Sequence, residues 1–369
     1  MRLVHLADLH LGFRNYSRTN NKGINQREAD VFKAFQQALT KIATLAPNLL
    51  LIAGDVFHKN HPDNLTLLHT YNLLQEFAQK TGIETIIIAG NHDAVKTKDN
   101  ACILELFKSI PHVTVVSHKA EVVVYPSKEV TVACLPHSAL LEADKLDLRP
   151  DKNCRFNVLL VHGTIDQDLE NDYGGAHVPK ELLQKDWDYV ACGHFHSFRH
   201  INRFIYYAGA IERTSNDIWK EAKEEKGFVE FDLEHKKVFF HPLETRKTID
   251  LPMIDATGKT IEELNNLIAD NVHQTDITDA VVRQRVINLP RSLQNQLDYK
   301  QIRQFQRQAL HYLLVTKPTE LRKNERESPT LPQGGLYQEA KQFLETRPLR
   351  PDICRSDFVR QGLEYLQRI

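Results

Sequence analysis

The sequence predicts an α/β fold in the form of a layered sandwich, because short apolar runs alternate with helical patterns over the first 250 residues. Runs of Val, Ile and Leu of this length are typical of strands buried on both faces. Residues 27–46 and 64–80 carry apolar positions at helical spacing, as in a largely parallel sheet covered by helices. Each run ends abruptly in small, polar or metal-binding residues; the five runs are RLVHLA, NLLLIA, ETIIIA, FNVLLV and DYVACG.

Five further apolar runs predict a second, more antiparallel sheet that packs against the first. These runs are short and have no helical patterns between them, unlike the first five. In layered α/β folds, ligands bind at the carboxyl ends of the strands, so we expect functional groups at those ends. The five runs are EVVVYP, EVTVACLP, FIYYAG, GFVEFDL and KVFFHPL.

A change of pattern after residue 250 predicts additional modules beyond a core domain at 1–250. Residues 251–318 alternate helix, strand, helix and strand, which indicates a separate small α/β domain. The polar stretch 319–335 contains KNERESPTLPQGG and predicts a linker. Residues 336–369 contain two amphipathic helical segments, which either pack on the core of this chain or bind a partner helix.

Composition excludes several classes of protein. The formal net charge of -1 gives no general basic character, so any contact with nucleic acid must come from a local patch or from bound metal. The five cysteines are scattered without CxxC spacing, which argues against a disulfide framework and a structural zinc site. No signal peptide or membrane-spanning segment is evident, so we expect a cytoplasmic protein, nucleoid-associated in a prokaryote, without membrane contact.

Side chains that can bind metal follow each of the first five apolar runs. Asp8 and His10 are two residues apart just after a strand, so both can point the same way if strand geometry persists. His194 and His196 repeat this spacing. The remaining candidates adjoin glycines, which let the backbone approach a metal closely. The seven predicted ligands are Asp8, His10, Asp55, Asn91, His162, His194 and His196.

Seven ligands exceed what a single ion takes from a protein, and they predict a pair of divalent ions roughly 3.5–4 Å apart. Such a pair needs a shared carboxylate, and Asp55 is the expected bridge. Carboxylate, amide and imidazole donors without thiolate suit Mn²⁺, Fe²⁺ or Zn²⁺ better than Ca²⁺. We take Mn²⁺ as the first choice.

The motifs DLH, GDVFH, GNHD, VHG and GHFH occur in the order that marks the calcineurin-like metallophosphoesterases, and residues 1 to about 215 resemble that superfamily. Within it, GDVFH and YYAGAIERTS are similar to the SbcD-type nucleases, the branch that includes the meiotic-recombination nucleases. The resemblance implies a four-layer αββα metallophosphoesterase sandwich. It also implies that residues 251–318 form the capping domain of that family and that 336–369 form a helical tail.

The resemblance further implies roles for individual residues. His92 would protonate the leaving oxygen, a task that suits histidine because its pKa lies near working pH. His58 would help to orient the scissile phosphodiester, although it could also be a simple loop residue near the site. Asp55 would be shared by the two ions. One ion would be held by Asp8, His10, Asp55 and His196, and the other by Asp55, Asn91, His162 and His194.

The implied activity is hydrolysis of DNA phosphodiester bonds during end processing and double-strand break repair. The family resemblance implies exonuclease action on duplex ends and endonuclease action on single strands. It also implies a homodimer formed through helices near the catalytic domain, and binding of the C-terminal helices to an SbcC-type coiled-coil ATPase. Arg199 and Arg203 follow GHFH, where they could contact DNA phosphates or simply be solvated.

Three other segments have simpler interpretations. The run KEAKEEKG at 220–227 is expected to be a solvated face of mixed charge. Glu212 and Arg213 could close the site or contact DNA, and a surface ion pair explains them equally well. The glycine-containing loop at 172–177 could approach a substrate or merely connect two elements.

Two other functions stay open. A small-molecule or cyclic-nucleotide phosphodiesterase would use the same metals on a similar diester, although it would not need the appended domain and tail. Alternatively, the chain could be mainly a scaffold that bridges DNA and an ATPase, but the intact ligand set argues against an inactive scaffold. A protein phosphatase is disfavoured because GDVFH and AGNHD lack the arginines of GDxVDRG and RGNHE.

Overall fold

The computed structural model describes residues 1–94, 101–141, 148–165, 176–318, 341, 343–347 and 354–366. The predicted linker at 319–335 lies outside the described residues, as do positions 172–175 of the glycine-containing loop. The predicted helical tail is described only in part.

Strands in the described part of the chain form three sheets. They are β1 (Arg2–Leu6), β2 (Leu49–Ala53), β3 (Glu84–Ile88), β4 (Val113–Val116), β5 (Glu121–Tyr125), β6 (Val130–Leu135), β7 (Phe156–His162), β8 (Tyr189–Gly193), β9 (Arg199–Asn202), β10 (Ile205–Tyr207), β11 (Gly227–Asp232), β12 (Lys237–Pro242), β13 (Thr248–Asp250), β14 (Ile254–Asp255), β15 (Val281–Leu289) and β16 (His311–Pro318).

The helices lie mainly between the parallel strands and after residue 250. None of the helices in the described ranges combines the length and the apolar character that a membrane crossing requires. The α-helices are α1 (Gln26–Leu45), α2 (Asn64–Thr81), α3 (His137–Leu140), α4 (Lys180–Leu183), α5 (Ile261–His273), α6 (Arg291–Gln294), α7 (Tyr299–Gln308) and α8 (Arg355–Leu366), and 3₁₀ helices cover Ile103–Ser109 and Pro126–Lys128.

The first sheet has the order β12-β11-β1-β2-β3-β4. Strands β1 to β4 are parallel, and β11 pairs antiparallel with β1 and with β12. The prediction that GFVEFDL and KVFFHPL belong to the second sheet was wrong, because these runs are β11 and β12. Apolar periodicity identifies a strand, but it does not determine which neighbour the strand pairs with.

The second sheet has the order β5-β6-β7-β8-β10-β9. It contains β7 and β8, which follow from the runs FNVLLV and DYVACG. Strands β6, β7, β8 and β10 are parallel, and only the edge strands β5 and β9 run antiparallel. This sheet is therefore less antiparallel than the sequence suggested. The expectation of two packed sheets was nonetheless correct.

Three apolar cores lie between four successive layers of helices and sheets, which are the layers that the family resemblance implied. Between α1, α2 and the outer face of the first sheet, Val31, Phe35 and Leu50 are buried. Residues such as Leu51 and Leu160 fill the space between the two sheets. On the far face of the second sheet, a further core brings α3 and α4 against the strands. The order is helix, sheet, sheet, helix, which is an αββα sandwich.

The third sheet lies in residues 248–318 and is fully parallel, with β13, β14 and β16 all paired to β15. Helices α5 and α7 contribute Leu264 and Phe305 to a core that is separate from those of the sandwich. Helix α5 begins with a capping box. The Thr260 side chain accepts from the Glu263 backbone N–H, and the Glu263 side chain accepts from the Thr260 backbone N–H. The division into domains that the sequence predicts stays a prediction.

Candidate metal centre

The carboxyl ends of five strands meet at one edge of the stacked sheets. Strands β1, β2 and β3 come from the first sheet, and β7 and β8 come from the second. The two sheets are tied together at this edge by His162, whose Nδ1 atom donates to the Ala53 carbonyl oxygen over 2.7 Å. Six of the seven predicted ligands lie in the loops that leave these strands, and His162 is the last residue of β7. We call these seven residues the ligand cluster.

Several members of the ligand cluster have an unusual backbone conformation. The φ angles are 51° at Asp8, 47° at His10 and 50° at Asp55, and His194 has a φ of 108°. Side chains other than glycine rarely adopt positive φ, and each such residue costs on the order of 1–3 kcal/mol unless its surroundings enforce the conformation. The surroundings do so here: the Asp8 N–H donates to the Gly54 carbonyl and the His10 N–H donates to the Asp55 carbonyl.

Glycines allow these loops to approach one another closely. A Cβ atom on Gly90 would lie 2.1 Å from the Asp55 Oδ1 atom, and one on Gly54 would lie 2.4 Å from the His162 Nδ1 atom. Both distances are far below van der Waals contact. Any larger residue at these two positions would displace a predicted ligand, which explains the glycines of the GD and GN motifs.

One half of the ligand cluster is formed by the loops after β1 and β8. The Nε2 atoms of His10 and His196 are 3.0 Å apart, and the His10 Nε2 atom is 3.7 Å from Asp55 Oδ2. One ligand atom from each of Asp8, His10 and His196 falls within a group no wider than 4.8 Å. These are the residues that the sequence assigned to one ion.

The other half lies on the opposite side of Asp55. The Asn91 Oδ1 atom is 2.9 Å from His162 Nε2 and 3.1 Å from His194 Nδ1. The Asp55 Oδ1 atom is 3.5 Å from His162 Nε2, while its Oδ2 atom faces His10. The two oxygens of Asp55 therefore face different halves of the cluster, as a bridging carboxylate requires.

Burial keeps the imidazoles neutral. Burial lowers the pKa of His162 and of His196 to about 3, and it lowers the pKa of His10 well below its ordinary value. The carboxyl groups shift the other way. Burial raises the pKa of Asp55 to about 6, and burial together with the nearby Asp55 raises that of Asp8 well above its ordinary range. Neutral imidazoles and closely spaced carboxylates form a set of electron-pair donors that lacks positive charge.

The hydrogen-bond pattern at His162 supports a cation in this cluster. A carbonyl oxygen can only accept, so the His162 Nδ1 atom must carry the hydrogen that it shares with Ala53. The neutral ring then presents a lone pair at Nε2, which faces the Asn91 and Asp55 oxygens. Three acceptors that converge without a hydrogen between them repel one another, and a divalent cation relieves this repulsion.

His92 and His58 lie beside the ligand cluster. The His92 Nδ1 atom donates to the His58 carbonyl over 2.8 Å, and the two rings stack with centroids 5.5 Å apart. The His92 backbone N–H donates to Asp55 Oδ1 over 2.8 Å. The His58 Nδ1 atom is 3.4 Å from that of His10, and burial lowers the pKa of His58 to about 4. His58 is thus in contact with the ligand cluster through His10.

Asp93 is a buried carboxylate next to the ligand cluster that the sequence reasoning did not single out. It accepts from the backbone N–H groups of Val56, Phe57 and Gly90 at 2.9–3.1 Å. It thereby joins the loop after β2 to the loop after β3. Burial and the charge of Asp55 raise the pKa of Asp93 to about 7. The carboxylate at the end of the GNHD motif was the signal that could have identified it.

An open cleft of about 660 Å³ gives access to the cluster. Arg199 lines this cleft, and its guanidinium carbon lies 5.6 Å from the centre of the Phe195 ring. Arg203 is exposed, and its carbonyl oxygen accepts from His200 Nε2 over 2.8 Å. The cleft wall opposite β8 is formed by residues 214–217 together with Lys220, Glu221 and Glu224.

Glu212 and Arg213 are not a surface ion pair. Both are buried, and Glu212 forms an ion pair with the buried Arg27 at 3.2 Å. The Arg213 guanidinium donates to the backbone carbonyls of Glu221 at 3.1 Å and Glu224 at 2.5 Å. Arg213 thereby holds the segment that lines the cleft, while Glu212 joins this region to α1 through Arg27. The surface interpretation was wrong because the partners of these residues are distant in the sequence.

The expectation of a fully solvated face at 220–227 was also wrong. Glu221 and Lys226 are buried, although the neighbouring Lys223 and Glu225 are exposed. The Lys226 ammonium pairs with the Glu221 carboxylate at 2.5 Å. A mixed-charge run is usually solvated, but here Lys220, Glu221 and Glu224 line the cleft and Lys226 is buried.

Comparison with known proteins agrees with this architecture. Residues 1–198, more than half of the chain, match the sequence profile of the family described as Calcineurin-like phosphoesterase.

The chain is also similar to proteins named DNA double-strand break repair protein Mre11. The relative from Methanocaldococcus jannaschii is 26% identical over 285 residues, which cover 73% of this chain and 73% of that protein. The relative from Methanococcus maripaludis is 26% identical over 289 residues, covering 72% and 74%. The relative from Sulfolobus acidocaldarius is 29% identical over 206 residues, covering 54% and 50%.

Proposed function

This chain belongs to the calcineurin-like phosphoesterase family, and on that basis we propose that it is a two-metal nuclease that hydrolyses DNA phosphodiester bonds. The family membership makes it a metal-dependent phosphoesterase that uses divalent ions. The nuclease proposal adds a substrate class. It is supported by the relatives that carry the name DNA double-strand break repair protein Mre11.

The observation that carries the proposal is the arrangement of donors around Asp55. One of its oxygens faces His10 and the other faces His162, so the cluster has two halves with a carboxylate between them. We propose that each half holds one divalent ion and that the members are those given by the family resemblance. Mn²⁺ stays the first choice, because the donors are carboxylate, amide and imidazole groups without thiolate.

When bound, the divalent ions would lower the pKa of water and neutralise charge on the phosphoryl oxygens. The side chains of this protein supply the remaining steps. His92 is proposed as the general acid: its Nδ1 hydrogen is held by the His58 carbonyl, which fixes the ring and leaves Nε2 for transfer of a proton to the leaving oxygen. His58 is proposed to orient the phosphodiester, and its contacts with both the His10 ring and the His92 ring support that role.

The DNA contacts proposed at Arg199 and Arg203 rest on position and charge. Both residues follow the loop that carries His194 and His196, and both are exposed. Arg199 also lines the cleft, where a cation can attract a phosphate next to the one that is cut. We propose cleavage of duplex ends and of single strands in DNA double-strand break repair, in the cytoplasm or at the nucleoid.

The proposed partners are a second copy of this chain and an SbcC-type coiled-coil ATPase. On α2, Leu65 and Leu68 are 46% and 56% exposed, which supports a helical dimer contact near the sandwich. In the tail, Phe343 is 59% exposed. The ATPase is proposed to bind this tail, and residues 251–318 are proposed as the capping domain.

The test is cleavage of end-labelled duplex DNA and of single-stranded circles by the wild type and the His92→Ala variant. Each reaction is run with Mn²⁺, with Mg²⁺ or with chelator, and the candidate ATPase is added in a parallel series. Bis-nitrophenyl phosphate serves as the small-diester control. We expect Mn²⁺-dependent cutting of DNA by the wild type and its loss in the variant.

A different outcome would favour the alternative function. If the wild type hydrolyses the small diester but cuts neither DNA, even with the ATPase present, the protein is a small-molecule or cyclic-nucleotide phosphodiesterase. If it hydrolyses no diester at all with Mn²⁺ bound, the scaffold function gains support.

A further inference from the structure

Lys226 is one of the most deeply buried charged side chains among the described residues, with 2% of its surface exposed. Lysine is almost never fully buried, because removing an ammonium group from water is costly unless the group is paired. Its Nζ atom donates to the backbone carbonyl of His196 over 2.7 Å. A buried cation is therefore bonded directly to the backbone of a proposed metal ligand.

The His196 carbonyl is held from two sides. Besides the Lys226 ammonium it accepts from the Ala210 backbone N–H over 3.0 Å. Ala210 also forms a bridge to Ala7, the residue before the ligand Asp8. The carbonyl oxygen can accept two hydrogen bonds, so both are used and the peptide after His196 has little freedom to rotate.

The position of the His196 imidazole depends on this fixed backbone. Its Nε2 atom lies 3.0 Å from His10 Nε2, so the two rings direct these atoms at the same point. Groups that hold ligand residues in place from behind are a general feature of metal sites, because they orient the donor atoms before the ion binds. Lys226 has the geometry of such a group.

The charge of Lys226 is balanced by the wall of the cleft. The Glu221 carboxylate lies 2.5 Å from the ammonium and that of Glu224 lies 3.7 Å away. Arg213 in turn holds the carbonyls of both glutamates. Two explanations of the buried lysine follow: it could simply neutralise Glu221, or it could position His196.

We propose that Lys226 is a positioning residue of the metal centre, which fixes the His196 carbonyl and thereby aims the His196 imidazole at one of the two ions. The inference rests on the ligand set proposed above. It commits to the hydrogen bond with His196, rather than the ion pair with Glu221, as the interaction on which metal binding depends.

The experiment separates the two interactions with a matched pair of variants. Glu221→Gln removes the ion pair but leaves the bond from Lys226 to His196. The double variant Lys226→Met, Glu221→Gln removes both interactions and leaves no unpaired buried charge. Binding of Mn²⁺ to the metal-free full-length chain is measured by calorimetry, and the unfolding temperature of each metal-free protein is measured alongside.

We expect Glu221→Gln to bind two Mn²⁺ ions as the wild type does. The double variant should unfold at a similar temperature when metal-free, but one of its two ions should bind roughly 10- to 100-fold more weakly. A purely structural role would instead lower the unfolding temperature and leave the affinities unchanged. If the methionine variant does not fold, Lys226→Gln with Glu221→Gln replaces it, and the same comparison decides.

Two results would overturn the inference: wild-type affinity for both ions in the folded double variant, or equal weakening in Glu221→Gln alone. The failure of the proposed function looks different. In that case the wild-type protein itself binds no pair of divalent ions.

Discussion

Two groups of buried charged residues lie next to each other in this protein, and they differ in how their charges are balanced. In the ligand cluster, the carboxylates and imidazoles face one another as electron-pair donors. In the neighbouring group, which we call the support cluster, every charge has an opposite partner or several carbonyls. The support cluster consists of Arg27, Glu212, Arg213, Glu221 and Lys226.

The balance of buried charge therefore distinguishes a binding site from a structural network. Buried charges usually form pairs, because an uncompensated charge in the interior is expensive. The support cluster follows this rule, and its ion pairs Arg27–Asp30 and Arg27–Glu212 are 2.8 and 3.2 Å long. The ligand cluster breaks the rule, which indicates that its missing partner is a cation. Substitution of a proposed ligand should therefore impair metal binding, whereas loss of a charge partner such as Arg27 should impair stability. Lys226 differs from the rest of the support cluster because it also contacts the backbone of His196.

The largest effect is expected from Asp55→Asn. Loss of the bridging carboxylate should prevent binding of the ion pair and lower phosphodiesterase activity by more than about 10⁴-fold. The metal-free protein should become more stable near neutral pH, because burial raises the pKa of Asp55 to about 6 and its ionised form opposes folding. Calorimetric metal titration and urea unfolding in chelator measure both effects. A metal-free variant that is clearly less stable would contradict the account of the ligand cluster.

The next effect concerns His92→Ala, which should separate metal binding from proton transfer. Cleavage of DNA should fall by about 10²–10⁴-fold, because the leaving alkoxide needs a proton. Hydrolysis of bis-nitrophenyl phosphate should fall far less, since nitrophenolate leaves without one. Steady-state rates on both substrates and Mn²⁺ stoichiometry give the comparison. Equal losses on the two substrates would exclude His92 as the general acid.

Within the support cluster, Arg27→Met should show the reverse pattern. It leaves Glu212 without its ion-pair partner, whereas Asp30 keeps its ion pair with Arg246. Removal of one member of a buried pair destabilises a protein by about 3–5 kcal/mol. Both Mn²⁺ ions should still bind to the folded variant. Arg155→Met is the control, because the Arg155–Glu234 pair is exposed and should contribute about 0–1 kcal/mol. Urea unfolding measures the free energy of unfolding of both variants. Similar losses of stability in Arg27→Met and Arg155→Met would contradict the distinction between the buried and the exposed ion pair.

The smallest effect tests a buried histidine outside both clusters. His5 lies in the core with its Nδ1 atom 3.1 Å from the Tyr189 hydroxyl, and burial lowers its pKa to about 3. A folded-state pKa below the unfolded value means that its contribution to stability is complete above pH 6.5 and is lost as the pH falls below it. One such group changes the unfolding free energy by about 1.4 kcal/mol per pH unit.

The variant His5→Gln removes this titration. Unfolding free energies in chelator at pH 7.5, 6 and 5 should therefore fall less steeply for His5→Gln than for the wild type. The other buried histidines contribute equally to both proteins, so the difference in slope reports His5 alone. Parallel curves would show that the pKa of His5 is not lowered in the folded protein.

Much of the proposed site could be predicted from the sequence, because the proposed ligands lie at the ends of strands that are recognisable as apolar runs. Each apolar run ends at a motif such as GDVFH or GNHD, and parallel strands bring their carboxyl ends to one edge. The supporting groups could not be found in this way. Lys226 and His196 are 30 residues apart, and Arg27 and Glu212 are further apart still. A contact over such a distance depends on which strands become neighbours.

The assignment of strands to sheets shows the same limit of prediction from the sequence. The runs that form β11 and β12 were recognised as strands, yet they add to the first sheet rather than the second. Period-2 apolar patterning reports that a strand has a buried face, but both sheets offer a suitable edge. The pairing of β11 with β1 places Lys226, which immediately precedes β11, behind the loop after β8.

From the sequence alone, the strand-end motifs predicted metal binding and identified the family, and the family resemblance implied the αββα class. These predictions were possible because each depends on short segments whose chemistry is local. Only the tertiary structure decided that Glu212, Arg213, Glu221 and Lys226 are buried behind the cleft rather than exposed to solvent. The physical reason is that burial of a charge is set by its neighbours in space. Those neighbours come from distant parts of the chain, and their packing, not their composition, supplies the compensating charge.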